Sequence, residues 1–209
     1  LQGQARGTDG TAAITDLADV DFQRMPAQHI NFQPIDFGDL TVFSADQERA
    51  ARTEFSNVTT LQVAGVGHRD IATIGGPSST SVAQMRQAGF CRALQEAGIT
   101  VRPERMLESD FTSTGGYNAA AILLEGNPPS AIFAGNDMIG IGVLRAAAER
   151  NVRVPSELSV IGFDDIQMSR YVYPALTTVG QSILQLGEMA AVVLLRRIAT
   201  PSLVTDQRI

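Results

Sequence analysis

Residues 129–165 read PSAIFAGNDMIGIGVLRAAAERNVRVPSELSVIGFDD. Two apolar runs, 130–135 and 158–163, each end in polar residues: Gly135-Asn136-Asp137 after the first, Asp164-Asp165 after the second. Short apolar runs bounded by turn residues are the pattern of strands buried on both faces. The segment 138–150 between them has the spacing of a helix. A strand, a helix and a second strand in this order predict a right-handed crossover and a parallel sheet.

The same alternation extends both ways. On the N-terminal side, 71–76 (IATIGG) is strand-like and ends in Gly75-Gly76-Pro77. A helix follows over 79–97, with Val82, Met85, Gly89, Phe90, Ala93 and Leu94 near three- and four-residue spacing and Gly98 as its stop. A weaker strand covers 105–110. A helix over 114–125, carrying Ala120, Ala121, Leu123 and Leu124, ends at Gly126-Asn127-Pro128-Pro129. On the C-terminal side, 174–181 (PALTTVGQ) is a Pro-led extended segment. A last helix over 182–198 places Ile183, Leu186, Ala190, Val193 and Leu194 on one face. Before Asp70 the chain contains strand-like pieces and one helix start, without a complete βαβ series.

Composition narrows the function. The chain has 209 residues, 44% of them hydrophobic and 18% charged, which suits a globular protein with a sizeable core. It carries a net charge of −6, and its 16 basic residues are all Arg. An acidic chain without a basic cluster is poorly suited to binding phosphate backbones by itself. Cys91 is the single cysteine, so an internal disulfide is excluded, and its setting in GFCRAL suits core packing. His29 and His68 have no metal-ligand spacing to each other or to Cys91. GxSxG, P-loop and dinucleotide fingerprints are absent, and GGPSSTS lacks the required glycine spacing and lysine. No residues pair a nucleophile with a base, so the sequence predicts no catalysis and no cofactor. No apolar run reaches membrane-spanning length, and the first residues do not form a signal-peptide pattern.

In open parallel sheets ligands bind beyond the carboxyl ends of the strands. The residues expected to converge there are 76–81, Asp110-Phe111, Asn136-Asp137 and Asp164-Asp165. Asp137 precedes a helix and is expected to cap it. Asn136 is then left at the strand tip, where its amide both donates and accepts. Asp164 either ends a plain turn or accepts neighbouring hydroxyls as a carboxylate. Phe111, set among small polar residues, is either a core residue or a flat wall for a ring. Arg86 lies on a helix either as a solvated residue or as a bidentate clamp.

Over about 67–198 the chain resembles the effector-binding core of the LacI/GalR family of bacterial transcription repressors. The resemblance rests on GHRDIATIGGP (67–77), RQAGFCRALQEAGI (86–99), the opening stretch 129–165 and YPALTTVGQSILQLGEMAAVVLL (173–195). The P-x-L-T-T-V core of the last motif separates this family from sugar-binding proteins of the same fold. TVFSADQERAAR (41–52) resembles the family's segment before GHR, with Asp46 at an acidic position. The resemblance implies a periplasmic-binding-protein-like α/β fold of type I. Its doubly wound parallel sheets form two subdomains with an effector in the cleft between them. It divides the chain into an incomplete N-terminal subdomain (1–68), a C-terminal α/β subdomain (69–180), and a helix and tail returning towards the first (181–209).

On that pattern Arg86 resembles the clamp on effector polar atoms, Phe111 the stacking aromatic, and Asn136 with Asp164 the polar pair at the strand tips. Gln181 lines the cleft near the crossover, and Asp46 belongs to its N-terminal side. The family's helix-turn-helix, hinge helix and G-V-V-x-P strand do not match residues 1–40. The resemblance also implies a cytoplasmic homodimer that senses a small effector and alters the operator-DNA affinity of a helix-turn-helix headpiece. A sugar or sugar phosphate is expected before a purine or nucleoside. The alternatives are an extracytoplasmic sugar-binding protein serving a transporter, which a signal peptide at the gene start would mark, and an enzyme on a doubly wound sheet.

Overall fold

A computed structural model describes residues 29–30, 60, 63–65, 67–180 and 183–199. Six parallel strands form one sheet: β1 (His29–Ile30), β2 (Ile71–Gly75), β3 (Met106–Glu108), β4 (Ala131–Ala134), β5 (Ser159–Asp164) and β6 (Thr177–Gly180). Among the described residues, the α-helices that accompany them include α1 (Ser81–Glu96), α2 (Ser113–Leu123), α3 (Asp137–Glu149) and α4 (Ile183–Ala199). The strand order is β1-β6-β5-β4-β2-β3, with every neighbouring pair parallel.

The sheet is covered on both faces, as its apolar strands require. Strand residues alternate sides. Ile71, Ala131, Phe133, Ile161, Phe163 and Val179 join Phe90 and Leu94 of α1 in one core cluster. Ala72, Ile74, Ile132, Ala134 and Val160 join Ala119, Ala120 and Leu123 of α2 and Ile139 and Val143 of α3 in the other. The central strand β4 is buried along its whole length. The apolar spacing read in 79–97 and 114–125 thus marks the inner faces of α1 and α2.

Two strands differ from expectation. The extended segment 174–181 contains a true sheet strand, β6, in register with β5 from Ile161↔Thr177 to Asp164↔Gly180. Pro174 precedes the paired residues, so its missing N–H costs the ladder nothing. On its other side β6 pairs with β1, His29↔Thr178 and Ile30↔Val179, so residues 29 and 30 belong to this sheet. Buried Ala64 also packs into the α1-side core. On α4, Ala190 is half-buried and Leu194 is 58% exposed, while the side chains of Ile183, Leu186 and Val193 lie outside those described. No described helix is long and apolar enough to cross a membrane.

The chain reverses its lateral course at β2. It leaves β2 through α1 to reach β3 on one side, then returns through α2 to β4 on the other. The two connections lie on opposite faces, which opens a crevice beyond the carboxyl ends of β2 and β4.

Candidate functional site at the carboxyl edge of the sheet

Helices α1, α2 and α3 all begin at this edge, and each is capped by the side chain before it. Thr80, Thr112 and Asn136 accept from the N–H groups of Ala83, Gly115 and Ile139. These polar caps satisfy donors that would otherwise be orphaned at the helix starts.

Arg86 lies inward on α1 and is 9% exposed. Its guanidinium sits 4.1 Å from the centroid of the Phe163 ring, donates to the Gly135 carbonyl and reaches Asp164 Oδ1 at 2.9 Å. The ring's negative face and the planar fork of Arg make this a fixed setting. The Arg86 and Asp164 side chains are 11% and 27% exposed, so the acid retains a route to solvent. Removing one partner of a pair this deep leaves the other charge uncompensated.

The second half of the site is built on Phe111. It holds φ +63, a left-handed conformation that β-carbon-bearing residues seldom adopt, and its ring lies against Gly76. A β-carbon on Gly76 would collide with three carbons of that ring. Asn136 Nδ2 donates to the Phe111 carbonyl at 3.2 Å, while its Oδ1 accepts from Ile139 N at 2.8 Å. The four expected residues within the described chain are therefore contiguous. Asp164 meets Arg86, Arg86 meets Gly135, the neighbouring Asn136 meets Phe111, and Phe111 covers Gly76. Asp46 and Gln181 lie outside the described residues.

The cap expected at Asp137 is instead made by Asn136. Helix α3 starts one residue earlier than expected, which puts Asn136 in the extended N-cap conformation, φ −156 and ψ 174. Asp137 is fully buried. Its carboxylate accepts the Thr178 hydroxyl of β6 and the Ile166 N–H at 2.8 Å. Burial pushes its pKa up to about 6, against those hydrogen bonds, and the nearby Asp164 and Asp165 charges push the same way.

Thr178 and Phe163 were absent from the sequence-derived site, and Asp137 entered it only as a helix cap. A signal existed in Gly162, inside the apolar run VIGF, since a strand glycine marks a close approach. Its missing side chain makes room for Asp137 Oδ1.

The opposite edge carries a separate polar cluster. Asp70 accepts a two-pronged contact from Arg105, at 2.8 and 2.6 Å, and a further hydrogen bond from Arg102. Ser130 Oγ donates to the Asp70 carbonyl and lies 2.9 Å from His68 Nδ1. These contacts tie the starts of β2, β3 and β4 together. No group of three or more metal-ligating side chains occurs among the described residues.

Residues 60–209 match the family described as the periplasmic binding protein-like domain. The chain belongs to this family. Within it, the chain carries the effector-binding core of the LacI/GalR type. It is 45% identical over 135 residues to the HTH-type transcriptional repressor PurR of Erwinia tasmaniensis, covering 64% of this chain and 40% of the relative. The chain thus spans less than half the length of that relative. Among solved structures, the Escherichia coli transcriptional repressor ascG superposes with a TM-score of 0.66 at 28% identity, over 84% of this chain and 70% of that one. A complex of the transcriptional regulator CelR with cellobiose superposes with a TM-score of 0.70 at 30% identity, over 75% of this chain and 47% of that one.

Proposed function

We propose that this chain is the effector-sensing core of a cytoplasmic LacI-type transcription regulator. A small polar ring compound binds at the carboxyl edge of the sheet and changes the DNA affinity of a helix-turn-helix headpiece. The observation that carries this reading is the line Asp164–Arg86–Gly135–Asn136–Phe111. It sets a partly exposed carboxylate, a guanidinium fork and an aromatic ring side by side at the switch point. A carboxylate and a fork recognise adjacent donors and acceptors on a ring edge, and an aromatic covers a ring face. Regulation then follows from linkage: an effector that prefers one subdomain arrangement shifts the DNA affinity, typically by about 1–3 kcal/mol.

The effector class is the finer question. Relatives named PurR support a purine, whereas the neighbour bound to cellobiose supports a sugar. The PurR relatives share more sequence with this chain, so purine bases and nucleosides take precedence over the sugars expected from the motifs alone. A thermal-shift screen of purine bases, nucleosides, monosaccharides, disaccharides and sugar phosphates tests both classes. Free ligand at a hundredfold excess over its Kd adds about 2.7 kcal/mol of stability. The expected result is one stabilising compound whose effect vanishes in Asp164→Ala and Phe111→Ala. A shift that survives both substitutions would place the site elsewhere. The core is further proposed to act as a homodimer. Sedimentation at high protein concentration checks that reading, and a persistent monomer would count against it.

A further inference from the structure

Asp137 opens α3 without capping it. Its carboxylate turns back beneath the carboxyl edge, where β6 and the loop after β5 meet. Thr178, which donates to Asp137, also accepts the Asp165 N–H at 3.3 Å. The consecutive amides of Asp165 and Ile166 therefore end on one anchor, the Asp137–Thr178 pair. Between β5 and that anchor the backbone holds two unfavourable conformations, φ 111 at Asp164 and φ 52 at Asp165. Such conformations persist only where the surroundings over-determine them. Gly162 is part of the same device, since any β-carbon there would displace the carboxylate.

We propose that Asp137 is a positioning residue, which holds the Asp164 loop, through Thr178 and the Ile166 amide, in the conformation that pairs Asp164 with Arg86. The functional meaning of this device rests on the reading of Asp164 as an effector contact. The positioning itself is a property of the ligand-free chain. The charged groups that face Asp137 among the described residues are Asp164 and Asp165, themselves paired with Arg86 and Arg170. With its titration raised to about 6, protonation of Asp137 changes the acceptor seen by Ile166 and Thr178 near neutral pH.

The test is nuclear magnetic resonance of the isotope-labelled, ligand-free chain. It follows the Arg86 guanidinium signals and the backbone amides of Asp165 and Ile166. In Asp137→Ala the Arg86 signals are expected to move to their positions in Asp164→Ala, with loss of protection at Ile166. Asp137→Asn keeps an acceptor for Ile166 and is expected to retain the wild-type Arg86 signals. In the wild type the Ile166 amide shift should titrate with a midpoint of about 6, and that midpoint should be missing from Asp137→Asn. The titration reports the Asp137–Ile166 contact itself, whereas a residue that merely stabilised the fold would leave the Arg86 signals of a folded Asp137→Ala in their wild-type positions. Wild-type Arg86 signals in a folded Asp137→Ala would overturn the proposal. If Asp137→Ala does not fold, Thr178→Val decides: displaced Arg86 signals support the device and unchanged ones sink it. No effector is present, so failure of the effector reading leaves this result unaffected.

Discussion

Gly76 carries more of the candidate site than its size suggests. The Phe111 ring occupies the space where a β-carbon would stand. In Gly76→Ala the ring must leave, which is expected to cost about 1–3 kcal/mol as an overpacking effect. Urea denaturation would measure it, and the same substitution in a Phe111→Ala background should cost far less. Equal costs in both backgrounds would show that the ring does not depend on Gly76. The neighbouring Asn136-Asp137 pair marks the limit of reading single residues from sequence. Both types cap helices well, and nothing local decides between them. The decision comes from Gly162 and Thr178, far along the chain, which offer a buried space for a carboxylate. Phe111, Asn136 and Asp164 could be placed together from sequence because strand ends in a parallel sheet share one edge, whereas Arg86, on helix α1, was added by the family resemblance. The acid behind them was not legible, because its surroundings are assembled by tertiary structure.

The elements were more legible than the residues. β4 and β5 show as unbroken apolar runs, and the helices between strands show their inner faces by spacing, because both patterns follow from burial. β6 was readable only as an extended segment, since Pro174 and the polar Thr177-Thr178 weaken its apolar character. β1 is described only at His29-Ile30, too short a stretch to show an alternating pattern. Phe133 of β4 and Phe90 of α1 show what fixes helix to sheet: their rings are stacked at 6.3 Å and tilted by 10°, and both are almost wholly buried. Phe133→Ala is expected to cost about 3–5 kcal/mol, most of it transfer and cavity energy. A double-mutant cycle with Phe90→Ala should reveal a coupling of about 0.5–1.5 kcal/mol. Additive losses in chemical denaturation would mean that the rings merely share a core. Loosening this contact also bears on the proposed function, because α1 carries Arg86 to the edge.

At the scale of the whole molecule, two buried or half-buried acids give stability a two-sided dependence on pH. Asp137 has its pKa raised from 3.8 to about 6, chiefly by burial. Between those values the folded chain keeps a proton that the unfolded chain releases. Its contribution to stability is thus complete below 3.8 and is lost as pH rises through about 6. A shift of this size corresponds to roughly 3 kcal/mol. Asp70 behaves oppositely. Burial alone would raise its pKa, but hydrogen bonds from Arg105 and Arg102, with their charges, lower it below 3.8. Its contribution is present above the ordinary value and is lost as pH falls through the lowered one. The two windows do not overlap, so substitution separates them. Asp137→Asn replaces the acid with a neutral group of the same shape. Its stability relative to the wild type should therefore rise between about pH 4 and pH 7 and then level off. Asp70→Asn should leave that interval unchanged and remove the loss at lower pH. Urea denaturation across this range measures both. A wild type and an Asp137→Asn variant with parallel curves from about pH 4 to pH 7 would mean that Asp137 is ionised in the fold at ordinary carboxylate pH, contradicting its burial at the edge where the effector is proposed to bind.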